Sequence, residues 1–387
     1  MSRLRFEPID TWFFRESRPH ATVGGNELQS LFPPPIQTLA GAVRTSIGDA
    51  MGVNWDLFKQ GNAPEVQALI GQGKDLGQLA FRGPWPTLEK ERLYPWPANL
   101  LQGIVEGDTK PSLGRLAIGG VVNCHLGRVR LPVLDDKSRG RTSNEKGWIT
   151  PAAMAAVLKG ELPRSEACRS EDELLVREPR LGIALEPGQR TTQEGNLYQT
   201  NHLRLEKGVG IEVELNGLDQ HDSLQLPPVV RLGGESRLAS LDVTEEESIL
   251  PDLPKPNEHT RGIILYLLAD ARFDNNNWLP QNFTKNSEGP VHYWTGEIKG
   301  IGLKVISAVL GKSRRVGGWD LLNDQPKEVT SLIPAGSLYY CEVEGDLNRA
   351  LKALHGAQIG EDNTLGRGLL AAGLWQTEES IEQGVSE

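Results

Sequence analysis

The sequence predicts an α+β protein made of two domains with antiparallel sheets. Candidate strands with period-two alternation outnumber candidate helices, the two kinds do not alternate regularly, and 387 residues suffice for two separate cores. The first half reads as strand, helix, several strands; the second reads as several strands, helix, strand. That order fits two ferredoxin-like (RRM-like, βαββαβ) domains carrying insertions better than a doubly wound sheet. The expected division is 1–207, with insertions at about 53–180, then 208–375, then an acidic and disordered tail over 376–387.

In chain order, LRFEPIDTWFF alternates as a first strand, and PPPIQTLAGAVRTSIGDAMG reads as a helix entered through prolines. Leu39, Ala42, Val43 and Ile47 recur at spacings of three and four, which gives that helix an apolar face. Arg44 projects off this face, and the plainer reading of it is a surface arginine. APEVQALIGQG and TPAAMAAVLKG read as further helices, separated by the passage RGPWPTLEKERLYPWP and by GRVRLPVLDDKSRGRTSNEKG, expected as an exposed basic loop. That loop either tracks RNA or is disordered. RLGIALEPGQRTTQEGNLYQTNHLRLEKG reads as two strands around a polar turn.

The expected strands of the second half are GIEVELNG, VVRLGGESRLASLDV, RGIILYLLADARF, KVISAVL, SLIPAGSLYYCEVEG and GLLAAGLW. DLNRALKALHG precedes the last as a helix, with Asp346 as N-cap and Gly356 just past its end.

Several function classes are excluded. No apolar run approaches the ~18 to 20 residues of a membrane helix, and the opening segment carries Glu7 and Asp10 where a secretory signal would be apolar, so a cytoplasmic location is expected. The cysteines, Cys124, Cys168 and Cys341, form no C-x-x-C pair, and the histidines are scattered, so neither a disulfide framework nor a metal site is expected. P-loop, dinucleotide-fold, G-x-S-x-G and H-E-x-x-H signatures are missing, and no cofactor is expected.

A net charge of -10 argues against indiscriminate coating of nucleic acid, but charge is unevenly distributed. Lys299, Lys304, Lys312, Arg314 and Arg315 occur with no intervening acid, and a second basic stretch runs from Lys110 to Lys146. Glycines flanked by arginine or lysine occur in VRLGGESR (Arg231, Gly233, Gly234, Arg237), KGIGLK, KSRRVGGWD and LGRGLLAAG (Gly366, Arg367, Gly368). Such loops can bring backbone N–H groups to a phosphate, although glycines at single positions more often serve turns or bulges. The one catalytic candidate is His20, beside Arg15 and Arg18, as general base for metal-independent RNA cleavage with Lys304 or Arg315 as the stabilising cation.

Taken in order, IDTWFFRESRPH, SLFPPPIQTLAGAVRTSIG, GIALEPGQRTTQEGNLY, VRLGGESR, GGWDLLNDQPKEVTSLIPAGSLYYCEVEG and LGRGLLAAGLW resemble segments of the third subunit of type III-B CRISPR effectors, the Cmr complexes, in the RAMP superfamily. The match is poor from about Val53 to Arg180 and absent in the tail. The resemblance implies two ferredoxin-like domains and a non-catalytic role in antiviral defence. It implies binding of the 5′ tag of the crRNA, docking of the large polymerase-like (Cas-ten type) subunit, and contact with the adjacent backbone RAMP subunit.

Carried over by residue, the resemblance assigns RNA contact to Arg15, Arg18, His20 and Arg44, to Arg190 and Thr191, to VRLGGESR, and to LGRG with Arg367. The basic residues Lys304, Lys312, Arg314 and Arg315 join this expected RNA-binding set. The alternative reading is a RAMP endoribonuclease that processes repeat RNA through His20.

Overall fold

The structure, a computed structural model, describes residues 1–16, 27–104, 111–134, 140–143, 146–185, 192–218, 224–245, 250–274, 277–320 and 325–376. The fold is mixed α+β, with mostly antiparallel sheets and few helices. The chain forms two compact units, each assembled from discontinuous segments. The first comprises Met1–Arg92, Asp172–Ser248 and Arg315–Thr330; the second comprises Leu93–Glu171, Ile249–Arg314 and Ser331–Glu387.

In the first unit, strand β1 (Ser2–Pro8) lies at the centre of the sheet. Its neighbours are β5 (Val209–Asn216) and β6 (Leu238–Glu245), and β5 pairs on its other side with β2 (Ala80–Leu88), all antiparallel. Written in chain order, these four strands lie 4-1-3-2 across the sheet. Alternation along β1 sends Leu4 and Phe6 to one face, opposite Val213, Val243, Ile211 and Leu241. Helix α1 (Ile36–Ala50) contributes Leu39, Val43 and Ile47, each fully buried, as their spacing requires. Each such side chain contributes roughly 1.5–3 kcal/mol of burial.

The opposite face of the same sheet is charged yet shielded. Arg92 lies 2.8 Å from Glu214 and donates from Nε to Glu212 at 2.9 Å, with its guanidinium 4.1 Å over the Trp85 ring. This unit also carries a long hairpin, β3 (Leu175–Leu185) and β4 (Thr192–Leu205), in which Glu178 faces His202 and Arg180 faces Thr200.

The second unit repeats the strand order. Strand β7 (Thr260–Leu267) lies between β10 (Leu338–Val343) and β11 (Leu370–Gln376), and β10 pairs with β9 (Ile301–Val309), which pairs with β8 (Val291–Ile298). Helix α5 (Leu347–Leu354) buries Ala350, Leu351 and Leu354 against this sheet's core; the intervening helices are α2 (Trp55–Lys59), α3 (Pro64–Ile70) and α4 (Pro151–Leu158). Asp346 caps α5 through a 2.6 Å bond from the Arg349 N–H, and Gly356 follows the helix at φ 78°, as the sequence predicts.

Four expectations change. A division at 207/208 does not separate the units, because β5 hydrogen-bonds between β1 and β2. The span Leu93–Glu171, read as an insertion in the first domain, clusters with the second unit. The expected basic loop begins as a strand: Gly127–Leu134 pairs with Ser112–Cys124, setting Val122 opposite Val129. Its glycines and charges suggested a loop, yet Val129, Leu131 and Val133 alternate with period two. The proline-rich passage likewise hides β2, where Phe81 and Trp85 are buried. The acidic stretch 377–387 lies outside the described residues.

Candidate nucleic-acid interface

The most organised exposed charge in the first unit centres on Asp10, in the bend that follows β1. Its Oδ2 lies 3.3 Å from Arg180 Nη2 and 3.2 Å from Arg237 Nη1, and its Oδ1 lies 3.2 Å from Arg204 Nη2. Glu178 holds two of the same arginines more tightly, at 2.7 Å to Arg180 and 2.6 Å to Arg204. This follows from the hairpin register: Glu178 faces His202, so Arg204 is its diagonal neighbour on the same face. The hydrogen bond from Arg180 is the main cause holding both the Asp10 and the Glu178 carboxyl below their ordinary range, and Glu178 in turn raises Arg180 and Arg204.

Arg237 arrives through the tight turn of VRLGGESR. Leu232 donates to the Arg237 carbonyl at 2.8 Å, and Gly233, Glu235 and Ser236 all have positive φ. A Cβ on Gly233 would lie 2.8 Å from the Phe13 carbonyl oxygen, so glycine is required for the turn to dock there. Gly234 already donates its N–H to that carbonyl. Glu235 bridges the turn to the layer beneath, 3.3 Å from Arg237 Nη2 and 3.1 Å from His202 Nε2. His202 is fully buried, stacked on Phe13, with Nδ1 3.1 Å from Thr11 Oγ1; burial lowers its pKa, against the opposing pull of Glu235.

The sequence-predicted residues fall at several places. Arg237, Gly233 and Gly234 share the turn just described, and Arg231 is exposed on the short strand Val229–Arg231. Arg15 is exposed and bridges to Ser30. Arg18, His20, Arg190 and Thr191 lie outside the described residues. Arg44 is turned inward: it donates to the Gly73 carbonyl at 3.2 Å, and burial lowers its pKa.

In the second unit, Lys304 is clamped by Glu288 at 3.0 Å and Glu342 at 3.2 Å and lies 4.5 Å over Tyr293. It lines a cleft of about 1070 Å³ together with Arg115, Arg261, Tyr340 and Trp375. Lys312 is exposed, whereas Arg314 lies 3.3 Å from Asp270; Arg315, counted with the first unit, is exposed. Arg367 is only 4% exposed, 3.7 Å from Asp362, and burial lowers its pKa against the pull of Asp270 and Asp362. Gly366 and Gly368 have positive φ, and the Gly368 N–H bonds the Asp270 carbonyl at 3.0 Å. This loop therefore directs Arg367 and its amide inward.

Sequence reasoning missed Asp10, Glu178, Arg180, His202 and Arg204 as a site. A signal was present: REPRL and NHLRL carry charged or polar residues at i and i+2, the pattern of a polar strand face. Among the described residues, no three His, Cys, Asp or Glu side chains are grouped to hold a metal ion.

A family model described as CRISPR-associated protein (Cas_Cmr3) matches residues 4–375. The chain belongs to that family. A chain from a cryo-EM structure of the type III-B Cmr-beta complex bound to cognate target RNA matches with TM-score 0.50 at 15% identity, over 97% of this chain and 99% of that one. A second Cmr-beta structure, bound to cognate target RNA and AMPPnP, matches with TM-score 0.48 at 17% identity, over 87% and 86% of the two chains. No curated protein matches. At such identities the structural likeness speaks for the fold, while the family match makes this chain a CRISPR-associated protein of the Cmr3 family. No helix among the described residues is long and apolar enough to cross a membrane.

Proposed function

We propose that the chain is a non-catalytic subunit that binds the 5′ tag of the crRNA, docks the large polymerase-like subunit and contacts the adjacent backbone RAMP subunit. Each unit is read as a ferredoxin-like half in which one crossover helix has been replaced. The first keeps α1 between its first two core strands, and the second keeps α5 between its last two. The observation that carries the RNA reading is the exposed Arg204 with the partly exposed Arg180 and Arg237, gathered from three separate segments. Guanidinium forks held in fixed geometry suit phosphodiester oxygens, and a single strand offers those oxygens at every nucleotide.

The test is equilibrium binding of 5′-tagged crRNA against a tagless control, by the chain alone and with its large partner, at about 50 and 200 mM salt. Tag-dependent binding of intact RNA that the partner strengthens and salt weakens is the expected result. Cutting of the RNA without added metal would replace this reading with the endoribonuclease one.

A further inference from the structure

Resting on that reading, we infer that Asp10 is a built-in occupant of an anion seat formed by Arg180, Arg204 and Arg237, and that a phosphodiester of the bound strand displaces it. The contacts are graded in a way that makes Asp10 the replaceable partner. Its closest oxygen–nitrogen distances are 3.2 to 3.3 Å, against 2.7 and 2.6 Å for Glu178 to Arg180 and Arg204, while at Arg237 Asp10 and Glu235 stand about equally close, at 3.2 and 3.3 Å. Its side chain is also the most exposed of the three acids, at 51% against 33% for Glu178 and 37% for Glu235.

When Asp10 leaves, the seat persists. Glu178 still aligns Arg180 and Arg204, and Glu235 still holds Arg237. A carboxylate and the two non-bridging oxygens of a phosphodiester present the same two-oxygen bite to an arginine fork, so the exchange swaps one monoanion for another. Asp10 moves into water it already touches, which keeps its departure cheap. Beside the seat, Ile9 is 57% and Leu238 41% exposed, with the Ile9 N–H bonded to the Leu238 carbonyl. They form an apolar shelf for a sugar or base next to the phosphate.

The latch has a measurable consequence, because a ligand that must displace an internal occupant binds with its affinity reduced by the latched fraction. Asp10→Asn keeps the shape and removes the competing charge. The full chain, Asp10→Asn and Arg204→Gln are each titrated into labelled single-stranded oligoribonucleotides with and without the 5′ tag, with melting temperatures measured alongside. Asp10→Asn is expected to tighten binding of both RNAs by about three- to tenfold, and Arg204→Gln to weaken both several-fold.

Unchanged or weaker binding by Asp10→Asn overturns the inference and makes Asp10 a positioning residue for the arginines. Should Asp10→Asn fail to fold, Arg204→Gln decides, and undiminished binding there overturns the seat. The tag reading is judged separately, from the ratio of tagged to tagless affinity in the unmodified chain. That ratio can be one while Asp10→Asn still tightens both RNAs, which leaves the seat and removes the tag.

Discussion

At the scale of single residues, arginines in this chain divide into those that build the fold and those that face outward, and the division is set by burial and partners. Arg367 is buried beside the partly exposed Asp270 and Asp362, so Arg367→Ala removes a packed side chain and its ion pairing. A loss of about 2 kcal/mol is expected, read as a lower urea midpoint. Arg44→Ala removes a hydrogen bond to Gly73, with an expected loss of about 1 kcal/mol and no change in RNA affinity by titration. His202 gives a pH signature. Its folded pKa lies below the ordinary 6.5, so the unfolded chain binds protons more readily and stability falls as pH drops through that value. His202→Gln should therefore reduce the difference in urea midpoint between about pH 7.5 and 5.5, relative to the unmodified chain. Asp10 and Glu178 act at lower pH: their folded pKa values are depressed, so their contribution, present at neutral pH, is lost below their ordinary values of 3.8 and 4.5.

At the scale of elements, turns and caps do the positioning. The capped helix α5 was legible, because capping depends on a few adjacent residues, whereas VVRLGGESRLASLDV, expected as one strand, is broken by its glycine turn into Val229–Arg231 and the antiparallel β6. Asp346→Ala should cost about 1 kcal/mol through the lost cap, measurable as a shifted urea midpoint. The strand β2 was not legible, since Pro84 and Pro86 in AFRGPWPTL argue locally against a sheet position, and pairing with β5 overrides that preference. The role of the glycine loops was also read only in part. Their need for glycine was visible, but the direction of their N–H groups, toward Phe13 and Asp270, depends on what docks against them.

At the scale of the molecule, the two units interleave along the chain, so a cut between residues 207 and 208 removes β5 and β6 from β1 and β2. Fragments 1–207 and 208–387, expressed separately, should each lack cooperative thermal unfolding by circular dichroism, whereas the full chain should show it.

The sequence by itself determined the α+β class, α1, α3, α4 and α5, most strands of the two six-stranded sheets and, through its ordered motifs, the Cmr family. These depend on periodicity, capping and short contiguous patterns, all of which are local. Only the tertiary structure decided how the segments divide between units, and which arginines remain exposed. It alone brought Asp10, Glu178, Arg180, Arg204 and Arg237 together. Strand register and turn docking join residues more than two hundred positions apart, as in Asp10 and Arg237, and no local pattern encodes the distance between them.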